Sequence, residues 1–377
     1  MDKKKIWLSS PTMHGDEQRF VQEAFDTNWV APLGPNVDAF EKEVAAYTGS
    51  VAACALDSGT AAIHLAVKLA GIQEKDVVLC QDLTFSASCN PVMYEKATPV
   101  FVDSEEDTWN MSPEALEEAL LRHPEAKAVI VVHLYGTPAK MDAISSICAS
   151  RGIVLIEDAA EAMGSTYQGK SCGTLGDYGI LSFNGNKIIT TSGGGMLLTH
   201  DEEQAKKVRY LATQAREPRP YYHHTTVGYN YRMSNITAGI GRGQLLHLQE
   251  HLEKKQAIYR MYEEALKGLP GVRMNPMNPK GVANNWLSGI YLDDDAKATP
   301  MQILEALQAE NIESRPIWKP MHLQPVFEEY EFVKDPKQGG RDISAEIFAR
   351  GLCLPSDIKN TEEDNERILR ILKEMLS

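Results

Sequence analysis

The sequence predicts an α/β protein built on a largely parallel, three-layer sheet. Three observations predict it. Short apolar runs recur at residues 52–56, 77–80, 99–102, 128–132 and 153–156, without the apolar–polar alternation of a one-sided sheet, as expected of strands covered on both faces. Helical stretches separate these runs, and strand alternating with helix is the order of parallel sheets. Polar turns follow several runs, at the carboxyl edge where open α/β sheets place their ligands.

The chain has 377 residues, long for one core, which predicts a large domain and a smaller one. Its 43 % hydrophobic and 24 % charged residues are those of an ordinary globular protein, and its net charge of −14 argues against nucleic acid or an anionic membrane surface as main partner. The basic opening at residues 1–5 is not followed by the apolar core of a secretory signal, and no run approaches the roughly 20 apolar residues of a membrane span. A cytoplasmic location without membrane insertion is therefore expected. The six cysteines fall at no metal-ligand spacing and read as reduced core residues, so no metal is expected.

Residues 15–47 read as two short helices around the turn 28–35, which carries Trp29 among prolines and glycine. The second places Val37, Phe40, Val44 and Tyr47 on one apolar face. Next come the strand 52–56, the turn Asp57-Ser58-Gly59-Thr60 and an apolar helix. Free amides at that helix start, with the hydroxyls of Ser58 and Thr60, suit a phosphate. From this turn alone the favoured explanation is that Ser and Thr simply cap the helix. His64, inside the helix, reads as a packed core histidine. Phe85 lies past the strand 77–80, where an aromatic ring can stack on a planar ligand. The strand 128–132 ends at His133.

The organising stretch is 153–196. An apolar strand delivers Glu157, Asp158 and Glu161 to the carboxyl edge, and a second run, 178–183, leads to Lys187 in a glycine-flanked turn. Asp158 and Lys187 lie 29 positions apart, enough for one strand-to-strand excursion back to the same rim. An amine held there can form a Schiff base with an aldehyde cofactor, while a carboxylate can keep a pyridine nitrogen protonated. Those are the two anchors of pyridoxal phosphate. Taken singly, an acid at a strand end is usually a helix cap or a surface ion pair and a lone lysine in a loop is usually solvated; their combination with a phosphate cradle is what points to function.

After a Tyr-, Asn- and Gly-rich segment at 225–235, a long helical pattern spans 236–266, and the domain boundary is placed before it, giving domains at 1–235 and 236–377. The second contains a strand at 286–292, a helix at 300–310, and a final helix from Thr361, a small α+β unit. Arg315, Lys319 and His322 cluster in an otherwise acidic chain and suit an anionic substrate or, equally, a solvated loop.

The ordered segments 57–62, 82–88, 133–136, 156–161, 182–187 and 228–232 resemble the motifs of the DegT/DnrJ/StrS sugar-nucleotide aminotransferases over nearly the whole chain. Segments 28–34, 186–196 and 315–322 are similar to the members that aminate UDP-4-keto-6-deoxy-N-acetylhexosamines in bacillosamine-type pathways. The resemblance implies a pyridoxal phosphate-dependent transferase of fold type I, with a mostly parallel seven-stranded sheet and a homodimer with shared active sites. It implies that Lys187 carries the cofactor, Asp158 pairs with its ring nitrogen and Phe85 stacks on the ring. Gly59, Thr60, Ser182 and the partner subunit's Asn230 are implied at the cofactor phosphate, Ser58 and Asn184 among the cofactor-binding residues, and Glu161 near the cofactor hydroxyl. The substrates implied are L-glutamate and the UDP-4-keto-6-deoxy sugar, the latter held by Trp29, Arg315, Trp318, Lys319 and His322. Related dehydratases are similar in fold but have His at the position of Lys187, so the retained amine favours transamination. A non-catalytic sugar-nucleotide-binding protein has no need of both Lys187 and Asp158.

Overall fold

The computed structural model describes residues 3–377. The expected seven strands form one sheet, in the order Ala52–Leu56, Gly195–Thr199, Tyr178–Ser182, Val154–Asp158, Ala128–Val132, Val77–Gln81 and Thr98–Val102, and the two-residue strand Phe332–Val333 adds an eighth at the edge. Only Gly195–Thr199 runs against its neighbours; the other pairs are parallel. The central strands are buried along their length, as their unalternating sequences require. One layer packs Ile63, Leu65 and Val67 of helix Gly59–Leu69 against one face, and another packs Leu116, Leu120 and Ile144 of helices Pro113–Arg122 and Met141–Arg151 against it from the other side.

Two helices, Asp16–Asp26 and Pro35–Thr48, precede the sheet. Val37, Phe40 and Val44 are buried as the apolar stripe predicts, whereas Tyr47 is 42 % exposed. The buried face passes from Val44 to Thr48, one turn on, rather than to Tyr47; the Thr48 hydroxyl is satisfied on the carbonyl of Val44 at 2.9 Å, and the helix stops at Gly49. The helical pattern expected at 236–266 is two helices, Asn235–Leu245 and Leu248–Leu266, separated at Leu246 and His247. The first is glycine-rich because it lies against helix Asp16–Asp26 backbone to backbone: a Cβ on Gly243 would stand 2.5 Å from the amide nitrogen of Glu17. The break lets the second helix turn towards the C-terminal part of the chain.

That part holds the four-stranded antiparallel sheet Val272–Met274, Ser288–Leu292, Gly351–Leu354 and Arg315–Pro316. Tyr262 and Leu266 of the long helix share its core with Ile303, Leu307, Ile368 and Leu372 of helices Pro300–Ala309 and Glu362–Leu376. Thr361 caps the last helix with a reciprocal bond to Asp364. No helix among the described residues is long and apolar enough to cross a membrane.

Candidate active site

Parallel pairing sets the rim of the site. Val132 stands in register with Asp158, and Asp158 with Ile180, so the segments leaving residues 132, 158 and 182 emerge side by side. With the start of helix Gly59–Leu69 they enclose a cavity of about 320 Å³, lined by Ser58, Gly59, Thr60, Phe85, Asp158, Glu161, Ser182, Asn184, Asn186, Lys187, Trp286 and Trp318.

Lys187 sits in a turn closed by its own N–H on the carbonyl of Asn184 (3.0 Å) and by the Thr191 N–H on that of Phe183 (2.9 Å). Its Nζ lies 3.4 Å from Glu161 Oε1 and 4.0 Å from the centroid of the Trp286 ring. The Trp286 indole N–H donates to the carbonyl of Asn186 at 2.7 Å, so the backbone next to Lys187 fixes the ring on which its ammonium rests.

Asp158, 5 % exposed, accepts from the Ser88 hydroxyl at 2.6 Å and the Ala160 N–H at 3.1 Å. Ser88 is held in turn by Thr84, 2.7 Å away. These partners are neutral donors, which orient the carboxylate and leave its charge for a cation in the cavity. Glu161 accepts the Tyr135 N–H at 2.6 Å. Burial pushes its carboxyl up to about 7, against the opposing charge of Lys187.

At the other end, Ser58 caps the helix, accepting the Ala61 N–H at 3.1 Å, so the capping explanation holds for this side chain. The N–H groups of Gly59 and Thr60, in the first turn, have no partner among the described residues. A Cβ on Gly59 would come within 3.3 Å of Ser182 Cβ and narrow the cradle. Unpaired donors at a helix start, a buried carboxylate opposite and an amine between fit a planar cation carrying a phosphate, which is the chemistry of pyridoxal phosphate.

A second hollow, of about 500 Å³, shares Phe85, Asn186, Trp286 and Trp318 with the first and continues to Ser9, Glu313, Arg315 and Lys319. The rings of Trp318 and Phe85 (centroids 5.5 Å apart) and of Trp318 and Tyr135 (5.2 Å) form the wall between the two.

The chain thus brings together all the expected cofactor residues except Asn230, which is exposed and paired with Gln214 at 3.0 Å. Arg315, Trp318 and Lys319 line the outer hollow, but His322 does not join them. Its Nδ1 lies 2.8 Å from Asp82 and its Nε2 3.1 Å from Asp342, and the ring stacks on Phe332. Burial alone would lower its pKa; the carboxylates of Asp342 and Asp82 override this and raise it to about 9. The 3₁₀ turn Met321–Leu323 carries it away, since the Met321 N–H is anchored on the Asp82 carbonyl. Trp29 is 40 % exposed and lies outside both hollows of its own chain. His64 is buried, as expected, between Glu95 (2.8 Å) and the Tyr231 hydroxyl (3.2 Å). All six cysteines are free and buried.

Sequence reasoning missed Trp286, Tyr135, Ser88 and Lys255. The buried Lys255 Nζ donates to the carbonyls of Trp286 (3.0 Å) and Ser356 and to the Ser9 hydroxyl, steadying the wall from behind. A signal existed: Leu248, Leu252, Lys255 and Ile258 follow one helical stripe, so a lysine stands at an inward position.

The model of the DegT/DnrJ/EryC1/StrS aminotransferase family matches residues 11–373. The chain is 51 % identical over 373 residues to EpsN of Bacillus subtilis (strain 168), provisionally described as a pyridoxal phosphate-dependent aminotransferase, covering 98 % of this chain and 95 % of that one. It is 38 % identical over 377 residues to the GDP-perosamine synthase of Caulobacter vibrioides (strain ATCC 19089 / CIP 103742 / CB 15), covering 100 % of this chain and 99 % of that one. Among solved structures, the aminotransferase TlmJ from Streptoalloteichus hindustanus superposes with a TM-score of 0.90 at 28 % identity, covering 98 % of each chain.

Proposed function

The chain belongs to the DegT/DnrJ/EryC1/StrS aminotransferase family, and from that premise we propose that it moves an amino group from L-glutamate to the 4-keto carbon of a UDP-4-keto-6-deoxy-N-acetylhexosamine. The family makes it a pyridoxal phosphate-dependent nucleotide-sugar aminotransferase of bacterial glycan biosynthesis; the sugar and the residue roles are our reading. The observation that carries it is the convergence of the Lys187 amine and the Asp158 carboxylate on one cavity.

Pyridoxal phosphate supplies an electron sink for a carbanion next to nitrogen. The protein's residues do the rest. The N–H groups of Gly59 and Thr60, with Ser182, grip the phosphate. Asp158, fixed by Ser88 and Ala160, holds a proton on the ring nitrogen, and Phe85 covers the ring. Lys187 Nζ would be the base that takes the α-proton of glutamate and, in the second half of the reaction, the acid that delivers a proton to C4 of the sugar. The Trp286 face receives its ammonium between these events. Arg315 and Lys319 meet the diphosphate in the outer hollow, and Trp318 carries the sugar past the wall. We place Asn230 and Trp29 at the site of a partner subunit in a homodimer, because in their own chain they lie outside both hollows.

The test is an absorbance spectrum of the holoenzyme. The band of cofactor bound to Lys187 should vanish with glutamate and return with UDP-4-keto-6-deoxy-N-acetylglucosamine, and NMR of the product should show an amine at C4. A band unmoved by glutamate would sink the transaminase reading. The identity to GDP-perosamine synthases favours one second reading, a GDP-linked 4-keto-6-deoxy sugar; return of the band with that sugar alone would select it.

A further inference from the structure

We propose that His14, His247 and Glu250 form a binding site for a divalent transition-metal ion of the zinc or cobalt class, at the seam between the segment preceding the first helix and the start of helix Leu248–Leu266. One ligand atom from each of the three residues lies within 4.8 Å of the others. Ligands about 2.1 Å from a tetrahedral ion stand about 3.4 Å apart, so the three side chains must draw together and re-aim their lone pairs to close on a metal. His14 and His247 lie 233 positions apart in the chain (247 − 14) but are held together by the packing of helices Asp16–Asp26 and Asn235–Leu245, which the glycine at 243 permits.

The hydrogen bonds around the cluster dictate which nitrogens are free. His251 Nδ1 lies 2.7 Å from the carbonyl of Ile188, which can only accept, so this nitrogen carries the proton and His251 Nε2 has a lone pair. That lone pair faces His14 Nε2 at 2.7 Å. In a neutral His14 the shared proton therefore sits on Nε2, and His14 Nδ1 is left as an unprotonated donor. His247 Nε2 lies 3.0 Å from Asp16 Oδ2, again an acceptor, so in the neutral ring the proton is on Nε2 and His247 Nδ1 is unprotonated. This Nδ1 faces Glu250 Oε2 at 3.8 Å, a lone pair opposite a carboxylate with no proton between them. The rings of His14 and His247 stack face to face with centroids 3.8 Å apart, so to share one ion each ring must turn until the lone pairs of the free nitrogens, which lie in the ring planes, converge. With both rings neutral, each imidazole has an outer partner, His251 for His14 and Asp16 for His247, of the kind that orients metal-ligating histidines.

Two cations stand near the cluster, and the first, Arg19, pairs with Asp16 Oδ1 at 3.1 Å in an exposed contact of little strength. Asp16 is negative, Glu17 is buried and accepts from the N–H groups of His14 and Gly15, and the second cation, Lys254, pairs with the opposite oxygen of Glu250 in an exposed contact of little strength. His14 and His247 are partly exposed, so an ion can reach them. The relay through His251 ends on the carbonyl of Ile188, beside Lys187, so the ion would also stiffen the turn that carries the reactive amine.

The experiment uses the holoenzyme, stripped with a chelator and titrated with Co(II) and Zn(II) without glutamate. One ion per chain is expected, with a visible Co(II) absorption that Zn(II) displaces and that acid removes as the imidazoles protonate. His247→Gln should weaken binding at least about tenfold, and Asp16→Asn about ten- to a hundredfold by releasing the His247 ring. Circular dichroism and the cofactor band report folding. Glu250 is exposed, so Glu250→Gln carries the test if the histidine variants misfold. No ion bound at micromolar metal, or binding unchanged in His247→Gln and Glu250→Gln, overturns the proposal.

Discussion

Burial raises the Glu161 carboxyl to about 7, above its ordinary 4.5. The sign of the consequence follows. A carboxyl whose folded pKa is raised binds more protons in the native than in the unfolded state, so between pH 4.5 and 7 stability falls as pH rises. Thermal melts of the cofactor-free protein should show this slope, and Glu161→Gln should flatten it while its amide oxygen still accepts the Tyr135 N–H. Persistence of the slope in Glu161→Gln would assign it elsewhere. For the chemistry, Lys187→Ala should lower transamination about 10²- to 10⁴-fold or more, the range of a lost general acid–base, and abolish the shifted cofactor band with an unchanged fold. Lys319→Ala should raise KM for the nucleotide sugar while the affinity for pyridoxal phosphate stays normal; weakened cofactor binding instead would move Lys319 out of the outer hollow's role.

At the scale of elements, the bend at Tyr135 and Gly136 connects the two halves of the site. Tyr135 has φ +52° and Gly136 φ +90°. A Cβ on Gly136 would stand 1.8 Å from Asn284 Oδ1, and Asn284 accepts the Trp286 N–H while donating to the carbonyl of Glu161. Gly136→Ala should therefore cost about 1–3 kcal/mol from backbone strain, and more from the clash, read as a lower Tm. It should also move Trp286, seen as altered tryptophan fluorescence. A melt identical to that of the parent protein would show that the bend has room to relax.

For the whole molecule, we propose a division near residue 235, with the long helix Leu248–Leu266 bridging to the antiparallel sheet of the C-terminal part. The site lies where the two meet: Trp286 and Trp318 come from one side, Lys187 and Asp158 from the other. We also propose that Asn230 and Trp29 act in trans. Sedimentation should then give a dimer, and Asn230→Ala should weaken cofactor binding without altering the dimer. Mixed dimers of Asn230→Ala with Lys187→Ala should place both lesions in one site and leave the other intact, restoring activity above that of either variant alone. Activity no higher than the better parent would put Asn230 in its own chain's site.

The sequence by itself determined the sheet and the centre of its rim. Unalternating strands at 77–80, 128–132 and 153–156 and the small-residue turn at 57–62 are local patterns, and parallel topology sends their carboxyl ends to one edge, so Lys187, Asp158, Gly59 and Thr60 were legible before any coordinates. Only the tertiary structure decided what surrounds them. Trp286 reaches Lys187 across 99 positions and Tyr135 reaches Glu161 across a backbone bend, contacts that no local period encodes. The same holds for His322, whose sequence neighbours Arg315 and Lys319 suggested a substrate role. A turn anchored on Asp82 carries it to two carboxylates instead, because electrostatic partners are chosen by distance in space and not along the chain.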